Sequence, residues 1–371
     1  MSYSIFSTFT GAGGLDIGFH GDFYFLNNYY EKLKFTTKIA IDINKDACNT
    51  LRHNKKYFAD TKIINEDITK INPKNFLDKE YDVLLGGFPC VTFSIVGKRA
   101  GIKDDLNGRL YESFASFVET LKPKIFLAEN VKGILSANKG EAIKIIKERF
   151  EMDGYSLKIF LVNFADFGVP QLRERVLFLG IREDIKTPFI PPEKTHGKHN
   201  YITTEEAFKN LPEDCPNNIP MKVSKEVVER LKLIPEGGNY KDVEGTPYAV
   251  KGLMSNIYRR LHRKQPSYTV IASGGGGTWM YHYEEPRPLT NRERARLQGF
   301  PDDYIFKGNN TEVRRQIGNA VPPVGIYPFA KRIQNVLEGV IPSYDKKKII
   351  KEYDVNKRKV IEFNLENCSF F

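Results

Sequence analysis

Residues 4–14 read SIFSTFTGAGG. An apolar, β-favouring run, 4–8, is followed almost at once by glycines at positions 11, 13 and 14. That order predicts a buried strand that ends in a glycine loop and feeds a helix. Glycines so placed make a plain tight turn, or they let backbone N–H groups approach a ligand at a helix N-terminus. The dinucleotide pattern G-x-G-x-x-G is not met, because Asp16 holds its sixth position.

Similar apolar runs recur at 38–41, 61–64, 82–85, 124–128, 157–162 and 176–181, with helical patterns at 45–54, 109–121 and 141–152 between several of them. Strand–helix alternation of this kind predicts an α/β fold with a doubly wound, mostly parallel sheet. Such sheets bind ligands beyond the carboxyl ends of their strands, so function is sought just after each apolar run. Asp42 ends the second run, and Asp67-Ile68 follows the third. An acid there accepts hydrogen bonds from a ribose, caps a helix, or sits solvated in a loop. Three acidic or glycine-rich strand ends in succession favour a nucleoside-bearing cofactor. The fourth run ends in Gly86-Gly87-Phe88-Pro89-Cys90 and the fifth in Glu129-Asn130-Val131. A cysteine at a sheet mouth is either a small buried hydrophobe or a thiolate nucleophile activated by a helix dipole or arginines. A buried carboxyl beside it acts as an acid toward a ring nitrogen if its pKa is raised. Gln171-Leu172-Arg173-Glu174-Arg175 puts two arginines at alternating positions, hence on one face.

From about residue 184 the chain turns Pro-rich and aperiodic, and periodicity returns at 289–299, where Thr290 and Glu293 form a capping box. This predicts a first part of the main domain over 1–183, a smaller irregular domain over 184–285, a return segment over 286–345 and a peripheral hairpin or tail over 346–371. The chain of 371 residues carries a formal charge of +10 and 41% apolar residues, enough for a sizeable core and suggestive of a polyanionic partner. Nine Lys/Arg face three Glu between 251 and 300, with Tyr258, Tyr268, Trp279, Tyr281 and Tyr283 interleaved. Cations neutralise phosphates and aromatic faces stack on bases, so this mixture fits nucleic acid, or else a solvated basic surface. Four scattered cysteines without a CxxC pair, no apolar run of membrane-spanning length and no secretory leader point to the cytoplasm. Cys215, His196 and His199 are too loosely spaced for zinc, and no metal is expected.

Taken together, these segments resemble the C5-cytosine DNA methyltransferases of bacterial restriction–modification systems. The resemblance rests on F-x-G-x-G-G at 9–14, the acids Asp42 and Asp67, G-G-F-P-C at 86–90, E-N-V at 129–131, Q-x-R-x-R at 171–175, R-x-L-T-x-R-E-x-x-R-L-Q-G-F-P at 287–301 and Q-I-G-N-A-V-P-P at 316–323. Val91 stands where the family often has Gln, and Ser7 where it often has Asp. The resemblance implies S-adenosylmethionine as donor, S-adenosylhomocysteine as product and a flipped-out cytosine of duplex DNA as acceptor. It implies a cofactor pocket of Phe9, Gly11, Gly13, Gly14, Asp42, Ile43, Asp67, Ile68, Phe88, Asn319 and Val321. Cys90 would attack C6 of the base, Glu129 would protonate N3, and Arg173, supported by Arg175, would hold the base. The 184–285 segment would recognise the target. Segment 92–108 reads as a loop closing over the cytosine, and DNA contacts are expected from Ser94, Lys98, Arg99, Arg259, Arg260, Arg263, Lys264, Tyr268 and Gly275. A monomer is expected, with a cognate restriction endonuclease as functional partner only. The rival readings are an RNA cytosine-5 methyltransferase on the same scaffold and a catalytically silent DNA-binding regulator.

Overall fold

Seven strands make the central sheet of the computed structural model, which describes residues 2–89, 106–251, 254–272, 275–344 and 349–364. They are β1 (Tyr3–Thr8), β2 (Phe35–Asp42), β3 (Lys62–Asn65), β4 (Val83–Gly86), β5 (Ile125–Val131), β6 (Tyr155–Asn163) and β7 (Glu174–Arg182). Their order is β3-β2-β1-β4-β5-β7-β6. All neighbours pair in parallel except β7, which runs antiparallel to both β5 and β6. The reason is the connection 164–173: it holds the 3₁₀ turn Phe164–Phe167 and the two-residue strand Gln171–Leu172, too little for the full crossover that a parallel return needs. All seven strands match the apolar runs of the sequence to within a few residues.

Alternation along the strands splits the core between two faces. Ile5, Leu85 and Leu127 point to one apolar cluster and Phe6, Leu84 and Phe126 to the other. On the first face lie α1 (Gly14–His20) and α8 (Pro323–Glu338); on the second lie α3 (Leu106–Leu121) and α4 (Glu141–Met152). α2 (Lys45–His53) follows β2. Every residue of α1 is buried, and its Gly18 meets α8 so closely that a Cβ there would lie 2.0 Å from Ile326 Cγ2 and 2.8 Å from the Pro323 carbonyl.

Segment 184–285 adds no strand to the central sheet. It carries α5 (Lys225–Leu233) and a satellite cluster of Leu231, Ile234, Val243 and Tyr281. It is not wholly separate, since Phe189, Ala207, Leu261 and Val270 join the main core. The chain then returns through α6 (Asn291–Leu297) and α7 (Asn310–Asn319) before α8. The expected capping box is present: Glu293 N–H donates to Thr290 Oγ1 at 3.0 Å, and the Glu293 carboxylate accepts from the Thr290 N–H at 2.7 Å. Near the C-terminus, strands Ile349–Asp354 and Lys359–Asn364 pair as a hairpin.

Gly18→Ala is expected to push α8 off α1 and to destabilise the chain by about 1–3 kcal/mol. Urea denaturation of the two proteins measures it.

Candidate active site

The carboxyl ends of β1, β2, β4 and β5 converge with the segment after α7 on one cavity of about 530 Å³. Phe9, directly after β1, has φ +50°, and Gly11 has φ +55°, so the chain doubles back at once beneath the β2 end. Gly11 N–H donates to Asp42 Oδ2 at 2.7 Å, and Asn44 N–H donates to Asp42 Oδ1 at 2.8 Å. Burial raises the Asp42 pKa, and these two backbone donors pull it partly back. Ile43 beside it is 69% exposed on the cavity wall, an apolar plate open to the cavity. Phe88, Asn319 and Val321 complete this side.

A hydrogen-bonded acid and an exposed apolar side chain lining one cavity suit a nucleoside: the acid takes sugar hydroxyls and the plate covers a base. The residues therefore fit the expected cofactor. Three expected members lie off the wall. Gly13, at φ +72°, serves packing, since a Cβ there would meet the Phe58 ring at 2.6 Å. Asp67 caps the 3₁₀ turn Ile68–Lys70, accepting from Thr69 N and Oγ1 at 2.9 and 2.8 Å, and Ile68 is buried in the core.

The other side of the cavity carries the charge. Glu129 is buried, and its Oε1 lies 3.0 Å from Arg175 Nε. Burial raises its pKa, while the Arg175 and Arg173 charges oppose the rise. The next residue, Asn130, donates from Nδ2 to the Phe88 carbonyl at 3.0 Å and accepts the Val131 N–H at 2.8 Å. It thus ties the acid's strand to the segment that leads through Pro89 to Cys90, a function the sequence reading did not assign. Cys90 itself lies outside the described residues, as do Ser94, Lys98 and Arg99. Of the 92–108 segment, residues 106–108 already belong to α3.

Of the two arginines, Arg175 and not Arg173 lies against Glu129. Arg173 is 1% exposed and donates to the Val270, Gly318 and Ala320 carbonyls at 3.3, 3.1 and 3.1 Å. Burial, reinforced by the nearby Arg175 charge, lowers its pKa to about 9. It fastens three segments of backbone, and Arg175 is the one that pairs with the acid.

The family model for C-5 cytosine-specific DNA methylases matches residues 3–335. The chain belongs to this family. The methylase is 46% identical to the type II methyltransferase M.NgoFVII of Neisseria gonorrhoeae over 95% of this chain and 92% of that one. It is 30% identical to the DNA (cytosine-5-)-methyltransferase M.ApeKI of Aeropyrum pernix over 91% of this chain and 99% of that one. Its fold is similar to the crystal structure of a protein described as a DNA modification methyltransferase encoded within an E. coli prophage, with TM-score 0.69 and 24% identity over 91% and 100% of the two chains. A cytosine C5-methylase acts on DNA with S-adenosylmethionine as donor. No helix among the described residues is long and apolar enough to cross a membrane.

Much of the basic cluster between 251 and 300 is internal, which removes Arg260 from the expected DNA face. Arg260 is buried, and its guanidinium donates to the carbonyls of Leu231, Ile234, His282 and Tyr283. Arg292, Arg294 and Arg296 are buried on further carbonyls, and Arg287 pairs with Glu285 and Glu293. Arg263 bonds Glu236, and Arg259 lies 4.6 Å above the Tyr268 ring, whose hydroxyl donates to the Arg259 carbonyl. Lys251 and Lys264 are exposed, as is Gly275, with open space where its Cβ would be. Irregular backbone needs donors for its carbonyls, and a local sequence count cannot tell a buried arginine from a solvated one.

Arg173→Met should destabilise the methylase by roughly 3 kcal/mol or more by stranding buried carbonyls, whereas Arg175→Gln should leave the melting temperature nearly unchanged. Arg175→Gln should also move the Glu129 titration upward, because a charge that lowers its pKa is gone; thermal melts and the pH profile of turnover check both. Arg260→Ala should cost stability rather than phosphate contacts, whereas Lys251→Ala with Lys264→Ala should flatten the salt dependence of DNA binding measured by fluorescence anisotropy.

Proposed function

We propose that this chain is the modification enzyme of a restriction–modification system, methylating C5 of a flipped-out cytosine in a specific duplex site through a covalent Cys90 adduct. The observation that carries the chemistry is Glu129: a buried carboxyl of raised pKa, ion-paired to Arg175, lining the same cavity as Asp42 and Ile43. Asn130 holds the backbone one residue short of Pro89-Cys90. In a duplex the base is stacked, so the target must first swing out, at a cost of a few kcal/mol.

The Cys90 thiolate then forms a bond to C6, and the displaced C5–C6 electron pair makes C5 nucleophilic. The proton on Glu129 passes to N3 and neutralises the developing charge, while Arg175 holds the carboxyl in place. Asp42, Ile43, Phe9 and Asn319 would hold S-adenosylmethionine, which would supply an electrophilic methyl group for C5 and be released as S-adenosylhomocysteine. An ordered water removes the C5 proton; the C5–C6 double bond re-forms, the bond to Cys90 breaks, and N3 returns its proton to Glu129. No metal takes part in this scheme.

In the same reading, 184–285 recognises the site, 286–345 completes the catalytic domain begun in 1–183, and 346–371 is peripheral. The protein works as a cytoplasmic monomer, and the cognate endonuclease shares only its DNA site. The names of the relatives, type II methyltransferases, support the restriction–modification role.

Bisulfite sequencing of plasmid DNA from cells expressing the chain should reveal one fully protected cytosine per site; random or absent protection overturns the proposal. Duplexes of that site bearing 5-fluorocytosine should trap the wild-type chain covalently, and Cys90→Ala should bind them without a covalent product.

A further inference from the structure

The family match ends at residue 335, yet the hairpin at 349–364 is packed against the catalytic body. Tyr353 is buried in the same apolar cluster as Tyr155, Leu157 and Ile159 of the edge strand β6, with Val355 and Val360 packed beside it. The hairpin then reaches past the sheet edge. Tyr353 Oη donates to the Leu135 carbonyl at 3.4 Å. Arg358 donates to the Lys139 carbonyl at 2.7 Å and to Glu141 Oε1 at 2.5 Å. Its stem covers Gly140, where a Cβ would lie 3.3 Å from Arg358 Cδ.

The segment gripped in this way is the continuation of Glu129-Asn130-Val131. Its last turn is strained: Asn138, Lys139 and Gly140 all have positive φ, at 49°, 54° and 87°. Two non-glycine residues in that region are strained and persist only when neighbours hold them. At its other end, Lys132 Nζ pairs with Glu174 Oε2 at 2.9 Å, next to Arg175.

This placement matters because, among the described residues, β4 accompanies β5 only as far as Ala128, and Glu129, Asn130 and Val131 pair with Leu177, Val176 and Arg175 of β7. On the β4 side, the described contacts that hold this strand end are the Asn130 bond to Phe88 and the anchoring of the 132–140 segment. We infer that Arg358 and Tyr353 are positioning residues: the C-terminal hairpin braces the 132–140 segment, and through it the end of β5 that carries Glu129. The inference rests on the reading of Glu129 as the catalytic acid.

The test uses the full chain with Arg358→Ala, Arg358→Lys and Tyr353→Phe. Amide hydrogen exchange, melting temperature, calorimetric S-adenosylmethionine affinity and kcat on a methylatable duplex are measured for each. In Arg358→Ala, exchange across 132–141 should quicken and kcat should fall about threefold to tenfold, as for other mutations that act through a coupled segment. Cofactor affinity and melting temperature should stay near wild type, because Arg358 and Glu141 are half exposed and such pairs add little to global stability. Arg358→Lys should recover most of kcat, since an ammonium can still reach both acceptors.

Unchanged exchange in Arg358→Ala and Tyr353→Phe overturns the brace. Faster exchange with wild-type kcat overturns its link to the acid. A joint fall of kcat, cofactor affinity and melting temperature that Arg358→Lys does not restore assigns the hairpin to general stability and overturns the inference too. If the wild-type chain transfers no methyl group, the reading of Glu129 fails on its own, and hydrogen exchange still judges the brace.

Discussion

Buried guanidinium groups on peptide carbonyls are the interaction on which the rest of this structure depends. Outside the central sheet the chain between residues 184 and 322 is largely irregular, so many of its carbonyls have no ladder or helix to satisfy them. Each one buried without a donor would cost on the order of 1–3 kcal/mol. Arg173 serves Val270, Gly318 and Ala320; Arg292 serves Pro216, Pro301 and Tyr304; Arg260 serves four more. One guanidinium presents five N–H groups in a rigid fork, so a single side chain can hold several strands of loop together. Lysine in these places would supply a point charge and lose the fork.

This scaffolding delimits the active site. The cofactor side is closed by Asn319 and Val321, which follow Gly318 and flank Ala320, the residues whose carbonyls Arg173 holds. The reactive side is set by Glu129 and Arg175, paired across β5 and β7. Burial favours the protonated acid, and the arginine keeps that preference from becoming permanent. A carboxyl balanced in this way can give a proton to a ring nitrogen and take it back. The antiparallel β7 makes the pairing available, because it brings its own N-terminal residues to the carboxyl end of β5.

Much of the active side was legible in the primary structure. The seven strands, the glycine loop, the Asp42 and Glu129 strand ends and the Thr290 capping box all follow from patterns that act over a few residues, and local patterns survive folding. Other assignments failed for one physical reason. A charged residue means something different when buried, and burial is a property of distant neighbours. Arg260 sits among basic and aromatic residues that read as a nucleic-acid face, yet its partners come from 231, 234, 282 and 283. Asp67 occupies a strand end like Asp42, yet its carboxylate turns to Thr69. Asn130 carried a signal in the E-N-V triplet that pointed only to its neighbour.

What the residue order determined by itself is the alternation of strands and helices and the family, because periodicity and motif spacing are written along the chain. Only the tertiary structure decided which of two neighbouring arginines meets the acid, which cations are spent inside, and that a hairpin beyond the family's span grips the segment after Glu129. Those outcomes depend on who is adjacent in space and how far water is excluded, quantities that exist only once remote segments have come together.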